Sequence, residues 1–61
     1  MNFTKEQIRW TIIAIEERLK VLNENIEWND SQGQYDLSEK YRQERKTYET
    51  ILEILNVEEA K

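Results

Sequence analysis

This sequence predicts an all-α fold: an antiparallel two-helix hairpin, coiled-coil-like in its packing, that dimerises into a four-helix bundle. Three observations carry that expectation. Two stretches each hold apolar residues at alternating steps of four and three, the spacing of one helical face. A short polar stretch separates them and contains Gly33, the only glycine, in a chain that has no proline. With 61 residues there is room for one small domain spanning 1–61, and folding back is the simplest way for two such helices to bury their stripes.

The first helix is expected at about 4–28. In FTKEQI, Thr4 is placed to cap it, Gln7 to reach back to the Thr4 amide as in a capping box, and Phe3 and Ile8 to form the flanking apolar staple. Ile8, Ile12, Ile15, Leu19, Leu22 and Ile26 follow, confined to roughly 80° of arc at about 100° per residue. The pattern stops near Trp28. NDSQGQ is polar and turn-prone, which places the connection at about 29–35.

The second helix is expected at about 36–56, with Asp36 as cap and Glu39 as its box partner, Ser31 being the alternative, earlier start. Its seam reads Leu37, Tyr41, Glu44, Tyr48, Ile51, Leu52 and Leu55. Glu44 interrupts that apolar row, and Arg45 or Arg18 is expected to pair with it at the seam edge. Asn56 is the expected stop, followed by a frayed VEEAK tail.

The first helix carries more than one seam. Phe3, Trp10, Ala14, Val21 and Trp28 cluster roughly opposite the isoleucine row, with Ile13 to one side. Lys5, Arg9, Glu16, Lys20 and Glu27 flank this second stripe on one side, and Gln7, Thr11, Arg18 and Asn25 on the other. The second helix shows only Ile54 and Val57 on its outer surface, so the first is the inner helix of any larger assembly. Large exposed apolar patches are rare on monomers. Phe3, Trp10, Ile13, Val21 and Trp28 are therefore the expected self-association or partner-binding residues, tryptophan being enriched among binding hot spots.

Composition removes several function classes. Without cysteine or histidine there is no disulfide framework and no ligand set for zinc or a carboxylate–histidine di-iron centre, so no metal site and no cofactor are expected. The start MNFTKEQIRW lacks the basic-then-apolar pattern of a secretory signal, and IIAI is far too short to span a membrane, which together point to the cytoplasm and to no membrane partner. No phosphate-cradling glycine loop is present, and no serine or threonine stands beside a base in a recognisable nucleophile arrangement. No enzymatic activity is expected. The text nearest to the Ser-Gln-Glu-Leu-Asp motif of small helical-hairpin aspartyl-phosphate phosphatases is Ser31, Gln32, Gly33, Gln34, Tyr35, Asp36, in which the spacing and the leucine are wrong.

The net charge of −4 argues against broad attraction to nucleic acid. One local exception is KYRQERK, residues 40–46, which holds four of the nine basic residues. In architecture and length the chain resembles the Rop-like RNA-binding helical dimers. That resemblance implies a second function, nucleic-acid binding through Arg42, Arg45 and Lys46 repeated across a dimer. The first expectation is a small non-enzymatic protein-interaction module: a homodimeric regulator or inhibitor that occupies a surface of another protein, of the kind that phages and mobile elements encode.

Overall fold

A computed structural model describes residues 3–61 and contains two α-helices, α1 from Lys5 to Ser31 and α2 from Tyr35 to Ala60, packed as an antiparallel hairpin. Its dimensions are 43 × 15 × 14 Å. The short axes are little more than one helix diameter, so every side chain lies near the surface and only those on the facing stripes can be buried.

The start of α1 is the capping box read from FTKEQI. The Gln7 amide donates to Thr4 Oγ1 at 3.1 Å and the Thr4 amide donates to Gln7 Oε1 at 2.9 Å. Two of the donors that a helix start leaves without partners are satisfied reciprocally.

The connection is shorter than the sequence suggests. It consists of Gln32, Gly33 and Gln34, because Asn29, Asp30 and Ser31 complete a last turn of α1. The Gln34 amide donates to the Asn29 carbonyl at 2.8 Å and the Gly33 amide to the Asp30 carbonyl at 3.1 Å, the paired bonds of a Schellman closure. That closure needs a left-handed residue at Gly33, where φ is +74°. Polar composition made 29–31 read as loop, but polar residues are tolerated in a helix whose last carbonyls are capped. Ser31 Oγ adds to the closure by donating to the Trp28 carbonyl at 2.7 Å.

Two expectations for α2 are corrected. Its N-cap is Gln34, which makes no side-chain cap bond, whereas Asp36 lies inside the first turn and Glu39 has no box to complete. The tight closure brings the chain into helix before Asp36 is reached, and the carboxylate there faces the positive end of the helix dipole instead. At the other end α2 passes Asn56 and runs to Ala60. No glycine or proline follows Asn56, and Glu58, Glu59 and Ala60 are good helix formers.

The core is a single line between the helices. Ile8, Ile12, Ile15, Leu22 and Ile26 from α1 and Leu55 from α2 are buried, and Leu19, Tyr48 and Leu52 pack against the cluster around Leu55. Leu22 is wholly inaccessible. Near the connection the α2 side of the seam differs from the sequence reading. Leu37 remains 38% exposed and its neighbour Ser38 is fully buried instead, and farther along α2 Ile51 is also 38% exposed. Ser38 Oγ donates to the Ile26 carbonyl at 3.4 Å, so its side chain reaches the backbone of α1. With only three residues between the helices they converge closely at this end, and a serine fits where a leucine does not. Asn29, at the same end, is also buried.

Candidate protein-docking face

The candidate face is built on α1 by helix periodicity alone. Trp10 and Trp28 are 18 residues apart, five turns at about 3.6 residues per turn, so both occupy one azimuth on a continuous helix. Val21 lies within about 20° of them, Ile13 about 60° to one side, and Phe3 continues the row beyond the cap. The isoleucine seam occupies the far side of α1 and is spent on α2.

All five residues are exposed. Trp10 is 63% and Trp28 64% accessible, with Phe3, Val21 and Ile13 also open to solvent. Among the described residues neither indole N–H donates a hydrogen bond. The tryptophans thus present both an apolar ring and an unspent donor, the combination that makes this residue effective at interfaces. Shallow dents adjoin both: one bordered by Phe3, Thr4, Gln7 and Trp10, the other by Glu24, Glu27, Trp28 and Ser31.

The stripe is not wholly apolar. Glu17 and Glu24 lie between the tryptophans on the same side of α1, which an inventory of hydrophobic residues does not reveal and a complete helical projection does. On α2, Ile54 and Val57 are exposed, as its outer surface predicts.

The basic cluster is arranged differently. Arg42 forms an ion pair with Asp30 of α1. Arg45 donates from Nη1 to Asn23 Oδ1 at 2.8 Å and lies 3.5 Å from Glu49 through Nε. Two of the three candidate nucleic-acid contacts are therefore drawn onto α1 and partnered within the hairpin. Lys46 is exposed and, among the described residues, has no ion-pair partner. The three do not form one open face.

Glu44 is answered by Arg18, whose Nε donates to Glu44 Oε2 at 2.8 Å across the seam edge. That hydrogen bond raises the Arg18 pKa, with further support from the Glu44 charge and partial opposition from desolvation. Both side chains keep contact with water, and the pair ties the middle of α1 to the middle of α2 without a buried uncompensated charge.

No described helix is long and apolar enough to cross a membrane, and the described residues contain no cluster of acidic side chains suited to holding a metal ion. No protein-family model, curated protein or solved structure matches this chain.

Proposed function

We propose that this chain is a non-enzymatic protein-interaction module, a cytoplasmic regulator or inhibitor that works by occupying a surface of another protein and that assembles as a homodimer. The observation that carries the reading is the open face of α1, on which Trp10 and Trp28 share one azimuth with Val21 and are flanked by Phe3 and Ile13. Exposing two tryptophans and three further apolar side chains to water is unfavourable by roughly 25 cal/mol for each Å² of apolar surface. Burying them against protein recovers that free energy. Hydrogen bonds and ion pairs elsewhere on the hairpin join α1 to α2 or neighbouring turns and so maintain the fold, whereas this face makes no such contribution.

Phage or mobile-element origin is part of the same proposal and rests on small size and simplicity. The nucleic-acid alternative has less support, because Arg42 and Arg45 are committed to partners on the hairpin.

Photo-crosslinking in cells tests the docking face. A benzophenone amino acid is placed at Trp10, at Trp28 and, as an outer-surface control, at Lys46. Protein adducts from positions 10 and 28 and few or none from 46 are expected. No adduct from either tryptophan position would overturn the reading.

A further inference from the structure

We infer that the first protein surface this face meets is a second copy of the chain, docked antiparallel across a two-fold axis that passes perpendicular to α1 at Arg18–Leu19. The inference rests on the docking-face reading and adds both the occupant and its orientation.

The first observation is the spacing of the anchors. Trp10 and Trp28 are equidistant from Leu19, share an azimuth and are almost equally exposed. A perpendicular two-fold axis at that level sets Trp10 of each copy against Trp28 of the other. It also sets each Trp10 level with the dent bordered by Glu24, Glu27, Trp28 and Ser31. An isologous contact requires this reciprocity, in which a residue on one copy meets its counterpart's complement on the other.

The second observation is independent and concerns charge. One flank of the stripe carries Arg9, Glu16, Lys20 and Glu27, none of which has an ion-pair partner in the hairpin among the described residues. Arg9 and Glu27 are centred on residue 18, and so are Glu16 and Lys20. Under a perpendicular two-fold axis each flank meets its own copy in reverse. Arg9 then stands within about 3 Å, measured along the axis, of the level of Glu27 in the second copy, and Glu16 stands the same distance from the level of Lys20. Four opposite-charge pairs form around one dimer. Glu17, inside the stripe, comes level with Lys20 of the second copy.

A two-fold axis parallel to α1 gives no such match. It brings the charged flank against the opposite one, where Gln7, Thr11 and Asn25 are uncharged and Arg18 is bonded to Glu44. It also brings Glu17 and Glu24, inside the stripe, level with their own counterparts; exposed ion pairs add little affinity, but like-charge contacts of this kind exclude wrong arrangements, so the pattern selects orientation. The two stripes of α1 lie on nearly opposite sides of the helix. The assembly is therefore a row of four helices with the two α1 helices at its centre, flatter than a square bundle.

Charge exchange tests this without removing a bond that holds the hairpin together, since among the described residues the Arg9 and Glu27 side chains make no hydrogen bond or ion pair. Arg9→Glu and Glu27→Arg, each alone, place like charges at both ends of the dimer, and sedimentation equilibrium is expected to show association weakened roughly tenfold. Mixed in equal amounts, the two variants restore both pairs, and a heterodimer of near-wild-type affinity is expected. A single spin label at Gln7→Cys, in a chain with no other cysteine, should give a label separation of about 35 Å, against less than about 20 Å for a parallel dimer. No preference for the heterodimer, or the short separation, overturns the antiparallel assignment. A wild type that stays monomeric up to millimolar concentration overturns the second copy as occupant, while crosslinks from position 10 to a different protein would leave the docking face itself standing. Absence of crosslinks from both tryptophan positions removes both.

Discussion

Gly33 shows how much one residue decides in a chain this short. Its left-handed backbone closes α1 and releases the chain directly into α2, and a Cβ built there meets nothing within 4 Å. Any effect of substitution is therefore conformational, not steric. Gly33→Ala is expected to lower stability by about 1 kcal/mol, and Gly33→Asn by less, because asparagine tolerates the left-handed region. Thermal unfolding followed by circular dichroism checks this, and an alanine variant as stable as the wild type would show that the turn has another solution. Arg18 illustrates a residue whose charge is not a switch. Its pKa is raised by Glu44, so its stabilising effect is fully present below the unfolded-state pKa and is lost only as pH rises through the higher folded-state value. Both lie above the ordinary working range, so the guanidinium keeps its charge at every neutral or acid pH.

At the scale of the elements, the two helices start in different ways. α1 has a complete capping box, whereas α2 begins on Gln34 with no side-chain cap. Thr4→Ala is expected to cost about 1 kcal/mol and Gln34→Asp to gain about 0.5–1 kcal/mol. For a domain of this size each kcal/mol moves the melting temperature by roughly 4–8 °C, so opposite shifts of several degrees are measurable. No shift in either would mean that the helix ends fray independently of the core. The same contrast explains what was legible in the sequence. The α1 cap, its isoleucine seam, the hairpin and the Arg18–Glu44 pair were readable because each depends on local spacing or on one cross-helix neighbour. Ser38 and Asn29 as buried residues were not. Their burial follows from how closely a three-residue connection draws the helices together, and no periodicity within either helix contains that distance. The end of α2 was misplaced because Asn56 is a weak stop when nothing after it breaks a helix. The exposed apolar residues of α1 were legible as a stripe, but Glu17 and Glu24 within it appear only when every position on the wheel is filled.

For the whole molecule the governing fact is thinness. A hairpin 15 Å across buries one line of side chains and has no interior deep enough to hide a second stripe. Whatever shields Trp10 and Trp28 must come from outside the chain. The most direct test is sedimentation equilibrium of the wild type and of the Trp10→Ala, Trp28→Ala double variant, with tryptophan emission recorded on the wild type over the same concentrations. The expected result is a wild-type dimer whose emission shifts to the blue as it forms, and a double variant that keeps its helical signal and sediments as a monomer. A wild type that remains monomeric with red emission throughout, or a double variant that dimerises as tightly as the wild type, would contradict it.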